Sequence, residues 1–224
     1  MNAMVPRSCR RRLEGRDFRF ITRALTGGVE QRGYLERVMR DEEEALNAVL
    51  EDERLLQAVL DLAYPVDISV NLYFYVLVRH SLKEAGIADV FVADYVAATL
   101  GEYAKGNAFG MAGSEPAVDF SYHVDFIEAL DRANDYDRFL LHVHCGNHFM
   151  FLTGLFPRYL ARRSERRGAP GTDFYEGVAR EAFRTAGEHP LADEFAVRGV
   201  YLQLADVFPA ARYALNRMAA EYLY

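Results

Sequence analysis

The spacing of apolar residues constrains the fold of this chain more than any other feature of its sequence. Along most of the 224 residues, apolar side chains recur every three or four positions, and no segment shows the sustained alternation typical of half-buried strands. Because 51% of the residues are apolar, the chain is long enough and apolar enough to form one compact domain. The sequence therefore predicts an all-α protein, a single-domain bundle of about eight or nine helices.

Prolines, glycines and capping residues set the expected helix ends. The stretch ISVNLYFYVLV is apolar on almost every side, so it predicts a central, buried helix over 67–85 that ends at Gly86. Residues 105–115 are glycine-rich but lack the Gly-Lys-Ser/Thr ending of a phosphate-binding loop, and they predict a connector. The other expected helices span 34–63 with a break near 50–53, 89–106, 116–133, 136–163 and 172–187, and two more begin at Pro190 and Pro209.

The charge distribution separates the start of the chain from the remainder. Residues 1–23 hold seven arginines against Glu14 and Asp17, although the whole chain carries a net charge of −7. We expect residues 1–28 to form a basic N-terminal segment with little fixed structure, followed by a single helical domain over 29–224. The acidic remainder would repel phosphate, and the basic run has no interleaved aromatic residues, so no nucleic-acid partner is expected.

Composition also predicts the compartment. No stretch approaches the roughly 18 uncharged apolar residues of a membrane-spanning helix, so we expect a soluble protein without a membrane partner. The two cysteines, Cys9 and Cys145, support neither a disulfide framework nor a cysteine-rich zinc site. A reducing, cytoplasmic location follows as the expectation, and a homo-oligomer is compatible with the sequence.

The stretch LLHVHCGNHF, residues 140–149, places several histidines in an apolar helix. His144 and His148 are four residues apart and therefore project from one face, a spacing by which a helix offers two imidazoles to one metal ion. On the preceding helix, Asp119 and His123 share an arc with apolar side chains. If the two helices form a tight antiparallel hairpin that turns near Asn134, all four groups lie at matching levels. The sequence predicts a divalent transition metal, held by Asp119, His123, His144 and His148.

A structural role for the same residues is the main alternative. Histidines in helices more often satisfy hydrogen bonds inside a core than bind metal, and a buried Asp–His network would specify helix packing without any ligand. The Glu-x-x-His motif of carboxylate-bridged di-iron bundles does not occur at any of the six histidines. Cys145 faces the apolar centre of its helix, where a thiol is ordinarily unreactive, so it is not a candidate nucleophile.

Four further residues are candidate ligand-binding groups: His142, Asn147, Tyr73 and Arg79. His142 points away from His144 and could transfer protons, and Asn147 is a polar side chain in the same apolar helix. Tyr73 and Arg79 lie on the apolar helix 67–85, where tyrosines also serve in ordinary cores. The sequence thus predicts a protein of unidentified activity whose Asp/His cluster binds a metal ion or small ligand, or alternatively a non-catalytic interaction or scaffold protein with a purely structural cluster.

Overall fold

A computed structural model describes residues 8–62, 67–104 and 123–223 of the chain. In these ranges the prediction of an all-α protein is confirmed: they contain twelve α-helices, one 3-10 turn and no strand. None of these helices has the length and apolar content of a membrane-spanning segment. The turn covers Arg10–Arg12, and the helices are α1 Gly15–Leu25, α2 Val29–Asp41, α3 Glu43–Leu50, α4 Glu53–Leu60, α5 Val70–Glu84, α6 Val90–Ala104, α7 His123–Arg132, α8 Asp135–Leu155, α9 Pro157–Arg167, α10 Thr172–Glu188, α11 Leu191–Glu194 and α12 Arg198–Tyr222.

The chain packs as two compact units, whereas the sequence predicted a single bundle of eight or nine helices. We call them the N-terminal unit, Arg7–Gly101, and the C-terminal unit, which contains Glu102–Tyr224. Helices α1 to α5 pack among themselves, and α7 to α12 do the same. Apolar periodicity shows which face of a helix is buried but not which neighbour covers it, so the division was not evident from the sequence.

Helix α5 confirms the prediction of a buried helix in this part of the chain. It begins after Ser69, whose hydroxyl accepts a hydrogen bond from the Leu72 amide, and most of its side chains are buried. At its other end Gly86 has a φ of +82°, and the Ile87 amide donates to the Leu82 carbonyl at 2.8 Å. This Schellman arrangement needs a left-handed residue, which explains the glycine at this position.

The basic N-terminal segment contributes a turn and a helix to the N-terminal unit. The 3-10 turn and α1 both lie within residues 8–28, and Cys9 and Arg10 are buried. The Cys9 thiol donates to the Asn71 side-chain oxygen of α5, and the Asn71 amide donates to the Arg12 carbonyl. The local concentration of charge predicted solvent-exposed arginines here. That prediction could not take account of the residues that bind this turn, because they are distant in sequence.

The core of the C-terminal unit consists of α8, α10 and α12, which pack closely against one another. A glycine of α8 accommodates an aromatic ring of α10. A Cβ atom at Gly146 would lie 2.9 Å from the ring of Phe183. A larger residue at position 146 would therefore force the two helices apart or displace the ring.

Two prolines contradict the helix ends expected from sequence. The helix expected over 136–163 is divided at Phe156, because Pro157 occupies the first position of α9. Pro209, expected to begin a helix, lies inside α12. In both places the carbonyl four residues earlier has no helical amide to bind, so it needs another donor.

Side chains from neighbouring helices bind the carbonyls that these prolines leave without a helical partner. The Arg180 Nε donates to the Ala205 carbonyl, four residues before Pro209, at 3.0 Å. The Asn216 Nδ2 donates to the Thr153 carbonyl, four residues before Pro157, at 2.7 Å, and to the Gly154 carbonyl at 2.6 Å. Tertiary contacts thus replace the local hydrogen bonds and make both prolines compatible with the fold.

We expect Asn216→Leu to lower the free energy of unfolding by about 1–3 kcal/mol, because it removes the donor to two carbonyls at nearly constant side-chain size. Chemical denaturation monitored by far-UV circular dichroism measures the change. Tyr213→Leu, at an exposed position of the same helix, should change stability by no more than about 0.5 kcal/mol. Equal losses for the two variants would show that the Asn216 amide does not stabilise the end of α8.

Candidate functional site

His144 and His148 lie side by side on α8, one helical turn apart. Their ring centroids are 6.1 Å apart, and the planes of the rings differ by 33°. His144 is buried, with 8% of its surface exposed, and His148 is half-buried. Their separation is the one expected from the spacing of four residues, so two imidazoles occupy adjacent positions inside the C-terminal unit.

The His144 imidazole is uncharged at neutral pH. Burial, and to a smaller extent the neighbouring His148, lower the pKa of His144 to about 4. A neutral imidazole retains the lone pair that a metal ion or a hydrogen-bond donor requires, whereas the protonated ring has none to offer. This environment suits His144 to binding a ligand through nitrogen.

Helix α7 packs against α8 across a short connection. The link consists of Ala133 and Asn134, and the Asn134 side chain caps α8 by accepting a hydrogen bond from the Asp137 amide at 2.9 Å. The Phe126 ring contacts the edge of the His142 ring, with centroids 5.5 Å apart. The two consecutive helices therefore form a hairpin, which is the arrangement that the predicted metal site requires.

Two of the four predicted metal ligands fall outside the described side chains. Asp119 lies outside the described residues, and the structure describes His123 only as the first residue of α7. Among the side chains that are described, no three or more His, Cys, Asp or Glu residues come together in an arrangement that could hold a metal ion. The four-ligand site therefore stays a prediction.

His142 lies in a groove formed by α7, α8 and α10. The groove has a volume of about 550 Å³, and its walls include Phe126, Ile127, Leu130, Phe174 and Val178. Burial, together with nearby His189 and Arg138, lowers the pKa of His142. As the sequence predicted, His142 is on a different side of α8 from His144, and it contributes an imidazole to a largely apolar groove.

The other candidate ligand-binding residues differ in their surroundings. Asn147 is fully buried in α8. Tyr73 and Arg79 belong to α5 in the N-terminal unit, and Tyr73 packs edge-on against the Phe74 ring. The Arg79 guanidinium binds Glu51 at 2.6 and 2.9 Å, which commits it to an ion pair within its own unit.

The ion pair with Arg79 also lowers the pKa of its partner, Glu51. Burial alone would raise the pKa of Glu51, but hydrogen bonds from Lys83 and Arg79 outweigh it and lower that pKa. Glu51 therefore remains ionised and holds the Arg79 guanidinium in place. Arg79 consequently has a structural partner that the sequence did not reveal, because Glu51 is 28 residues away.

Cys145 behaves as an apolar core residue. Its side chain is fully buried, it forms no disulfide, and burial raises the pKa of its thiol. A thiol that remains protonated is a poor nucleophile. This environment agrees with its omission from the candidate catalytic groups.

Sequence reasoning missed a second cavity in the C-terminal unit. It lies where α8 ends and α9 begins, and its lining includes Arg158 and Arg162. Apolar periodicity predicted one helix over 136–163, which left no bend at which a cavity could form. Pro157 was the signal that could have located it.

Comparisons of the chain with protein-family models, curated proteins and solved structures found no match.

Proposed function

We propose that this protein binds a divalent transition metal ion between α7 and α8, through His144, His148, His123 and Asp119. The observation that carries the proposal is the pair of adjacent imidazoles on α8, of which His144 is buried and uncharged at neutral pH. Zinc and neighbouring first-row metals bind neutral imidazole, and a carboxylate is a common additional ligand. The cytoplasm is the proposed location, and two buried cysteines that form no disulfide are compatible with it.

The register of the α7/α8 hairpin gives the levels of these groups along the two helices; the side of α8 that contacts Phe126 of α7 carries His142. Phe126 lies eight residues before Asn134, and His142, which it contacts, lies eight residues after it. In the same antiparallel register His123, eleven residues before Asn134, is level with His144, ten residues after it. Asp119, one turn earlier, would correspond to His148 if α7 extends to it.

Elemental analysis of protein purified without chelator tests the proposal directly. After incubation with zinc and removal of the excess, we expect near-stoichiometric metal in the wild-type protein and almost none in His144→Ala/His148→Ala. His142→Ala provides a matched control, because it removes an imidazole from a different side of the same helix and should retain the metal. Circular dichroism establishes that each variant is folded.

The alternative is a non-catalytic interaction or scaffold protein, in which the cluster specifies helix packing. It is favoured by the burial of His144 and Asn147 among the apolar side chains of α8. In that case no variant binds metal, and His144→Ala costs about 1–3 kcal/mol through the loss of buried hydrogen bonds. A wild-type protein that remains empty after exposure to zinc, nickel, copper, iron(II) and manganese would overturn the metal proposal.

A further inference from the structure

The second cavity of the C-terminal unit combines apolar walls with two cationic side chains. It has a volume of about 510 Å³, within the range of roughly 300–1,000 Å³ that is typical of small-molecule sites. Leu155 and Phe156 at the end of α8 and Ala219 and Ala220 of α12 supply apolar surface. On α9, the lining residues are Pro157, Arg158, Tyr159 and Arg162.

Arg158 and Arg162 are available for an external anion. They lie four residues apart on α9, both are exposed, and neither has an ion-pair or hydrogen-bond partner in the part of the chain that the structure describes. Other arginines of this unit are engaged: Arg212 binds Glu176, Arg184 binds Asp206 and Arg198 binds Asp193. The two guanidiniums at the cavity are therefore free to bind a ligand.

The local sequence compensates only a small part of this concentration of positive charge. Helix α9 contains five arginines and one acidic residue, Glu165, and it has no acidic residue in its first turn. Two like charges four residues apart on a helix repel each other, and Arg158 also lies where the helix dipole is positive. A bound anion would relieve this repulsion, in a chain whose overall charge is negative.

We infer that this cavity binds an organic anion with an apolar body, a carboxylate that carries a medium-length acyl chain or an aryl group. The planar guanidinium binds carboxylates through paired, charge-assisted hydrogen bonds, and Arg158 and Arg162 provide two such groups at the mouth. The walls formed by Phe156, Ala219 and Ala220 bury the apolar body. The ligand is a free molecule rather than a membrane surface, because the apolar residues line a concave cavity.

Isothermal titration calorimetry with decanoate tests this assignment. We expect the wild-type protein to bind decanoate. The double variant Arg158→Gln/Arg162→Gln should bind decanoate at least about tenfold more weakly, because each substitution removes a charge-assisted contact. The matched control is Arg163→Gln/Arg166→Gln, which removes the same charge from the same helix outside the cavity lining and should change affinity by no more than about twofold. Decyltrimethylammonium, with the same chain and the opposite charge, should not bind.

A variant of the apolar wall keeps the test independent of charge. Ala220→Trp fills the cavity from an exposed position of α12, so the protein should fold normally and lose at least about tenfold in decanoate affinity. Any one of four results would overturn the inference: no decanoate binding by the wild type, equal binding of the cationic chain, equal loss in the control pair, or unchanged binding by Ala220→Trp. Cosedimentation with phosphatidylglycerol vesicles without decanoate binding would identify a membrane surface and also overturn it.

Discussion

Replacement of Arg10 by Met is expected to lower the free energy of unfolding of the N-terminal unit by about 3–5 kcal/mol, the cost of removing one partner from a buried ion pair. Only 6% of the Arg10 side chain is exposed. Its Nη1 donates to Asn47 at 2.6 Å and to Glu43 at 3.0 Å, and its Nε lies 3.9 Å from an oxygen of buried Asp94. Met fills a similar volume, so the variant isolates the loss of charge and hydrogen bonds.

The expected loss arises mainly at Asp94. Its carboxylate accepts the Arg10 backbone amide at 3.1 Å, and this bond survives the substitution. The positive charge does not survive, so a carboxylate of low exposure keeps the hydrogen bond from the Arg10 amide and loses the nearby guanidinium. A buried charge without a counter-ion lowers stability by much more than a surface ion pair raises it.

Hydrogen exchange resolved to peptides of α5 and α6 measures this change, because it reports the stability of one unit separately from the other. Arg11→Met is the matched control: it removes the same charge from the neighbouring residue, whose side chain is exposed, and should change stability by no more than about 0.5 kcal/mol. Similar exchange rates in the two variants would mean that Arg10 contributes no more than a solvated arginine.

Phe183→Ala should destabilise the C-terminal unit by about 3–5 kcal/mol, through the loss of buried apolar surface and the cavity that remains. The Phe183 ring is fully buried between α8 and α12. It packs against the rings of Tyr201 and Phe208, with centroids 5.7 and 6.2 Å apart, and lies directly over Gly146. Because Gly146 has no side chain, this residue cannot fill the space that the ring leaves.

Urea denaturation followed by circular dichroism provides the measurement. Phe174→Ala is the matched control, since it makes the same substitution in the same helix at a ring that is 42% exposed, and it should cost less than about 1 kcal/mol. If Phe183→Ala costs no more than Phe174→Ala, the contact between α8 and α10 at Gly146 is not central to the stability of this unit.

The metal and carboxylate proposals concern different residues and can fail separately. The metal proposal rests on His144 and His148 of α8 together with His123 and Asp119, whereas the carboxylate proposal rests on Arg158 and Arg162 of α9 and the wall formed by α12. We therefore expect metal content to be unaffected by Arg158→Gln, and decanoate affinity to be unaffected by His148→Ala. Elemental analysis and calorimetry on the same preparations therefore distinguish the two outcomes.

Local sequence rules predicted helix ends well where the controlling residue acts on its own backbone. Asp89 caps α6 through hydrogen bonds from the Phe91 and Val92 amides, and Gly86 ends α5 in the left-handed conformation. The same rules were wrong at Pro209, which they made a helix start. There the missing hydrogen bond is replaced by Arg180, a side chain from another helix that no local rule includes.

In the candidate site, too, the sequence predicted the local features and the tertiary packing decided the others. The spacing of His144 and His148 predicted two adjacent imidazoles, because residues four apart on a helix share a face whatever surrounds them. Their charge state could not be predicted in this way. It depends on burial, which only the packing of α8 in the C-terminal unit decides.

By itself, the sequence determined that the chain is helical, where several helices begin or end, and which side chains share a helical face. These properties depend on residues within a few positions of one another, so periodicity and capping are sufficient to find them. Only the tertiary structure decided that the chain forms two units, that Arg10 is buried beside Asp94, and that a cavity lined by Arg158 and Arg162 forms where Pro157 begins α9. These features arise from contacts between residues far apart in the chain, which no local pattern encodes.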